Sequence, residues 1–143
     1  MQETKTGIFA REIMDKDFPI IDSSLPLINC VKKMNNKHEA CLIIKDGNFY
    51  SVLGQEDILR GFMYNKNKEE TIDKIKIKKN FAIVRPEEDV YKTLALMRKN
   101  NVDFVVVKDN KNFLGLITKK EIVDFEPILF ENLTRANGVI ISD

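Results

Sequence analysis

The strongest constraint on this chain is an internal repeat. "MNNKHEACLIIKD" runs from Met34 to Asp46 and "MRKNNVDFVVVKD" from Met97 to Asp109, an offset of 63 residues at both ends. Phe18 and Phe81 keep that offset, as do Ile20 and Ile83. Further on the offset is 64, pairing Asp57 with Glu121 and Ile58 with Ile122, and one extra residue in a strand-to-strand loop accounts for the step. Repetition at a fixed period dictates architecture before any local signal does. Each copy has about 55 residues, too few for a comfortable core of its own. Two copies packed about a pseudo-twofold axis would bury strand faces that neither covers alone, with symmetric clefts between them.

Within each copy the same elements recur. A short apolar strand ("FPII", "FAIV") precedes a helix marked by Leu27, Val31 and Met34 in one copy and by Val90, Leu94 and Met97 in the other, the i, i+4, i+7 spacing of a buried helical face. "DSSLP" and "RPEED" are helix-start signals, with acids at the second favouring its N-terminus. Two strands follow around Asp46-Gly47-Asn48 and Asp109-Asn110, which suit hairpin turns. A second helix is predicted over 55–64 and 119–125. The reading is an α/β fold of two β-α-β-β-α repeats, 8–66 and 71–125, with a tail at 126–143.

The tail, "EPILFENLTRANGVIISD", lies outside the repeat. Pro127 can start a short helix with Ile128, Leu129 and Leu133 on one side and Gly138 beyond its end. It reads as a cap, a hold for a partner subunit, or the stub of a longer chain. The connecting stretch 65–80 carries Lys74, Lys76, Lys78 and Lys79 among Ile72, Ile75 and Ile77. The isoleucines are expected to dock on the core, leaving the lysines solvated. A single-stranded nucleic-acid surface would interleave aromatics or arginines with them.

Composition removes whole classes of function. The formal net charge of +1 gives no global pull toward nucleic acid or membrane. No apolar run approaches the ~18 residues of a membrane span, and no signal-peptide core opens the chain, so a cytoplasmic location is expected. One histidine and two cysteines supply neither a catalytic triad nor a zinc-ligand spacing. Cys30 and Cys41 read as buried core thiols, and His38 as a solvated turn residue.

The repeat resembles a tandem pair of CBS (cystathionine-β-synthase) domains, a Bateman module. The resemblance rests on "REIMDKDFPIID", the helices ending near Met34 and Met97, the strands before "KD", and the junctions "SVLGQEDIL" and "GLITKKEIV". It implies a non-catalytic sensor, of energy state among other signals, that takes AMP, ADP, ATP or S-adenosylmethionine in a cleft and signals to an effector protein. It also implies a homodimer, and no required cofactor. In the family a Gly-apolar-apolar-Thr/Ser-x-x-Asp element ends the third strand, its acid accepting from ribose hydroxyls and its hydroxyl serving the phosphate side. Gly115 and Thr118 match that element, with Glu121 for the acid; Asp57 matches, with Ser51 and Gly54 for the other two. The family often has a Gly…Pro segment entering the second strand, and neither copy has it.

Candidate ligand residues are therefore Gly54, Asp57, Thr118 and Glu121 at the junctions, Ile20, Ile21, Asp22, Ile83, Val84 and Arg85 along the first strands, and Lys119, Lys120 and Arg60 toward phosphate. The chemistry is reasonable: an ionised carboxylate only accepts, which suits a vicinal diol, and a helix start offers unpaired N–H groups to phosphate. Thr-x-x-Glu is equally a capping box that satisfies itself. On that basis Asp57, following a glycine, is expected to be the less committed acid and the better ribose acceptor. A ligand-free dimerisation or interaction module is the alternative function.

Overall fold

The first strand of each repeat can reach its neighbour only after a helical crossover, whereas the next two strands can pair across a tight turn. The computed structural model describes residues 5–35, 37–64, 69–110 and 112–125. A short helix α1 (Ala10–Ile13) leads into β1 (Ile20–Asp22), α2 (Leu27–Met34), β2 (Ala40–Lys45), β3 (Asn48–Gly54) and α3 (Gln55–Tyr64). A 3-10 turn (Ile72–Lys74) precedes β4 (Phe81–Val84), α4 (Val90–Asn100), β5 (Phe104–Asp109) and β6 (Asn112–Ile117), and α5 occupies 119–125. The β-α-β-β-α order occurs twice, in the expected α/β class. The tail from 126 onward, with the short helix expected there, lies outside the described residues.

Each repeat builds a three-stranded sheet, β1-β2-β3 and β4-β5-β6. The crossover pair is parallel and the hairpin pair antiparallel. Asp46 and Gly47 have φ of 53° and 78°, the left-handed pair that a two-residue hairpin turn needs to match strand twist. The extra residue of the second repeat does not enlarge the turn. Lys45 pairs with Asn48 and Asp109 with Asn112, so two positions separate the strands in both copies, and Asp109 is a strand residue where Asp46 is a turn residue. Both ladders slip beside Tyr50 and Leu114, between Ile43/Ile44 and Val107/Lys108. Strand β1 begins at Ile20, later than "FPII" predicts, because Pro19 has no N–H to offer a ladder.

One face of each sheet packs on its helices. Ile21, Leu27, Cys30, Cys41, Ile43, Leu53 and Ile58 form one core; Val84, Val90, Met97, Val105, Val107 and Ile117 form the other. Cys30 rather than Val31 completes the buried stripe of α2, since Val31 is exposed. Leu42, Val52, Val106 and Leu116 on the opposite faces are also buried. Strands covered on both faces read as unbroken apolar runs, which is the pattern of "CLII" and "FVVV".

The two compact units are not the two linear halves. One is Asp17–Asn80; the other joins the residues up to Lys16 to those from Phe81 onward. Each unit is closed by the segment that precedes the other repeat, through matching hydrogen bonds. The Leu27 amide donates to Glu70, the Ile72 amide to Leu25 and the Asp73 amide to Ser23. In the other unit Val90 donates to Ile8, Ala10 to Glu88 and Arg11 to Pro86. Ile72 and Ile75 are buried in the first core, and Ile8, Ala10 and Ile13 in the second. The connecting isoleucines dock as expected, and Lys74, Lys76, Lys78 and Lys79 are exposed. After α1 the chain crosses β6, where Asp15 and Leu116 exchange backbone bonds of 2.8 and 3.0 Å. Gly115 permits that approach: a Cβ there would stand 2.5 Å from Met14 Cγ.

Candidate functional site

Helix α3 starts directly after β3 and α5 one residue after β6, so each acid, three residues past Gly54 or Thr118, lies in a first helical turn. At the first junction Asp57 is only 4% exposed. Its Oδ2 accepts from the Gly54 amide at 3.1 Å, and its Oδ1 from Arg60 Nη2 at 3.0 Å and the Lys78 amide at 3.3 Å. The expectation that Asp57 is the less committed acid is therefore overturned. The physical reason is that the reach-back half of a capping box uses the backbone N–H of the cap residue, which a glycine supplies as well as a threonine. Arg60, expected toward phosphate, is ion-paired to Asp57.

At the second junction Thr118 is buried and Glu121 half-buried. The Thr118 amide donates to Glu121 Oε1 at 3.1 Å and the hydroxyl to Oε2 at 3.0 Å, while the hydroxyl accepts from the Lys120 amide at 3.2 Å. The threonine thus caps Lys120 rather than Glu121. Burial pushes the Glu121 carboxyl above the usual range; the Thr118 bonds offset part of this, and the nearby Asp15 charge adds to it. A carboxyl whose pKa is raised on folding binds its proton more tightly in the native state. Stability is then greatest below the unfolded-state value and falls as pH rises through the window up to the native value. Glu121→Gln, which removes the titration, is expected to gain on the parent as pH rises through that window. Urea unfolding of both proteins at pH 4 and pH 7 checks this, and a gap that narrows between pH 4 and pH 7 contradicts it.

Along the first strands, Ile20 and Ile83 are 44% and 47% exposed, whereas Ile21 and Val84 are buried. Asp22 is turned to its own loop, its Oδ1 accepting from the Ser24 amide at 2.9 Å and hydroxyl at 2.7 Å, and these bonds hold its carboxyl below the usual range. A groove of about 380 Å³ runs between β4 and α4, within the ~300–1,000 Å³ range of ligand pockets. Ile83, Val84 and Leu96 give it apolar walls; Arg85, Lys92 and Lys99 give it positive charge. Two of these cations have acidic company, Arg85 near Glu87 and Asp109 at 3.5 Å each and Lys92 near Glu88 at 3.9 Å. Sequence reading missed the α4 side of the groove. Lys92, Leu96 and Lys99 sit at i, i+4, i+7, so helical spacing was the available signal.

Strand register decides which candidates meet within a unit. Val84 is level with Val107, and Ile117 with Val105. Arg85 and Thr118 therefore leave opposite ends of the sheet, roughly 13 Å apart along the strands at ~3.3 Å per residue. Asp22 and Gly54 are separated in the same way, level with Ile44 and Ala40. Lys119 is exposed and 3.4 Å from Asp103, and Lys120 is exposed beside it. Among the described residues no group of His, Cys, Asp and Glu could hold a metal ion, and no helix is long and apolar enough to cross a membrane. Cys30 and Cys41 are buried free thiols, Cys41 donating to the Cys30 carbonyl at 3.6 Å. His38 is half-buried rather than solvated.

A sequence model of the CBS domain matches residues 10–64 and again 72–127. Comparison with curated proteins finds no significant match. Solved structures with the same fold include an uncharacterized conserved protein from Pyrococcus horikoshii, 14% identical, covering 87% of this chain and 95% of that one, with a TM-score of 0.73. The conserved CBS domain protein TA0289 of Thermoplasma acidophilum is 19% identical, covering 92% and 76%, with a TM-score of 0.70. The CBS domain pair of protein MJ0100, crystallised with methylthioadenosine and S-adenosyl-L-methionine, is 20% identical, covering 83% and 99%, with a TM-score of 0.71.

Proposed function

This chain belongs to the CBS domain family, with two copies of the domain in tandem, and we propose that it is a non-catalytic regulatory module for an adenosine-containing ligand. The observation that carries this reading is the second junction. There a half-exposed carboxylate and a threonine hydroxyl converge where α5 leaves β6. The carboxylate accepts from a ribose diol, and the helix start receives phosphate or another polar substituent. The MJ0100 domain pair, of the same fold, was crystallised with methylthioadenosine and S-adenosyl-L-methionine, which supports the ligand class. Binding biases the module between states that a partner protein reads in the cytoplasm.

A ligand-free interaction module has its own support. Leu59, Met63 and Tyr64 on α3 are 63%, 68% and 77% exposed, beside a partly exposed Phe62, and contiguous apolar surface of this kind marks contact sites. A homodimer through such helix faces is compatible with either reading. A thermal-shift screen against AMP, ADP, ATP, NAD and S-adenosylmethionine separates the two. A ligand at about 100 times its Kd adds about 2.7 kcal/mol, or several degrees for a chain this size. An unmoved melting point with every compound at millimolar concentration removes the sensor, and sedimentation then tests the interaction module.

A further inference from the structure

The two repeats serve as controls for each other. The segment ahead of each repeat crosses to the other unit and must be fastened past its last short helix or turn. In one unit the fastening is backbone to backbone, Asp15 with Leu116 on β6. The leading segments align at an offset of 62 residues, as Ala10 with Ile72 and Arg11 with Asp73 show, so Lys78 stands where Lys16 stands. At Lys78 the fastening is different: its amide donates to Asp57 Oδ1. That oxygen also takes the Arg60 guanidinium, and Oδ2 takes the Gly54 amide. Asp57 does with its side chain what Leu116 does with its backbone.

We infer that Asp57 is a positioning residue that latches Lys78 to the start of α3, so that the Thr118–Glu121 junction is the one of the two that receives the ligand, at one molecule per chain. This deepens the proposed function and rests on it for the ligand part. A diol reaching Asp57 would have to displace a guanidinium or a backbone amide from a carboxylate that is 4% exposed, leaving donors unpaired. Gly54 offers no hydroxyl beside it. Glu121 is more open, its bonds to Thr118 use one site on each oxygen, and a carboxylate has about four such sites. The chain therefore carries one structural acid and one ligand acid at equivalent places in its repeat.

The test uses the full chain with Asp57→Ala, Asp57→Asn and Glu121→Gln. Amide hydrogen exchange, read without ligand, addresses the latch. Exchange at Lys78 is expected to speed at least about tenfold in Asp57→Ala, which leaves no acceptor there, whereas Asp57→Asn keeps one oxygen that can face Lys78; it should stay unchanged in Glu121→Gln. Calorimetric titration with AMP, ADP, ATP and S-adenosylmethionine, each alone, addresses the ligand. The parent is expected to take one equivalent of the compound that binds, Asp57→Asn to keep its affinity within about threefold, and Glu121→Gln to lose about tenfold or more. Two equivalents per chain, or binding abolished in a folded Asp57→Asn, overturns the inference while the proposed function stands. Binding of none of the four compounds defeats the proposed function and the single-site assignment together. Unchanged exchange at Lys78 in a folded Asp57→Ala defeats the latch itself, whatever binds.

Discussion

Ile72→Ala is expected to lower the unfolding free energy by about 3 kcal/mol, within the ~2–5 kcal/mol range for truncating a buried isoleucine. For a chain of 143 residues that is about 10 °C in melting temperature. Ile72 stands in what the repeat pattern makes a connecting segment, yet it is fully buried in the core of Ile21, Leu27 and Leu53. Its amide donates to Leu25 at 3.0 Å and its carbonyl accepts from Ile75 at 3.0 Å, which prevents the turn from sliding to refill the space. The comparison is Leu59→Ala on exposed α3 surface, where the change should stay within about 0.5 kcal/mol. Chemical unfolding of the two variants checks the difference. Equal, small losses would mean that the segment does not pack as described.

The repeat made most of the fold readable. Two copies in register fix the element order, and the bounds of α3 and the start of α5 follow from the switch between alternating and helical spacing. The exchange of leading segments was not readable, because "TGIFAREIM" and "ETIDKIKIKKN" share almost no letters. What they share is a backbone bonding pattern, which no side chain records. The site was read less well for a related reason. Asp57 was ranked by the side chain at Gly54, but the atoms that bind it are two backbone amides and an arginine one turn on. Conversely, Thr118 with Glu121 carried its own signal, since both halves of that cap are side chains. The cationic side of the groove, a stripe of Lys92, Leu96 and Lys99, was missed although its spacing was there to be read. It competed with the stronger apolar stripe of Val90, Leu94 and Met97 on the same helix.

Asp89→Ala is expected to cost about 2–3 kcal/mol and to free the N-terminal segment of the unit it closes. The carboxylate caps α4 through the Tyr91 amide at 2.8 Å. It also accepts from the Thr6 amide at 3.0 Å, the Gly7 amide at 3.0 Å and the Thr6 hydroxyl at 3.1 Å. Loss of an N-cap alone costs about 1 kcal/mol, and charge-assisted bonds to the strap add a further ~1.5–3 kcal/mol, reduced where water replaces them. At the equivalent place the first repeat has Pro26, whose extended backbone starts α2 without a side-chain cap. A carboxylate cap at this helix start is thus confined to the unit that Asp89 serves. Asp89→Ser keeps a cap for Tyr91 without the reach to Thr6 and Gly7, so it should recover about 1 kcal/mol of stability and leave the strap loose. Amide exchange at Thr6 and Gly7 separates the two contributions. It should accelerate in both variants, while exchange at Tyr91 accelerates only in the alanine. Protection at Thr6 that survives Asp89→Ala would mean that the packing of Ile8, Ala10 and Ile13 and the backbone bonds of Ile8, Ala10 and Arg11 hold the segment without the carboxylate.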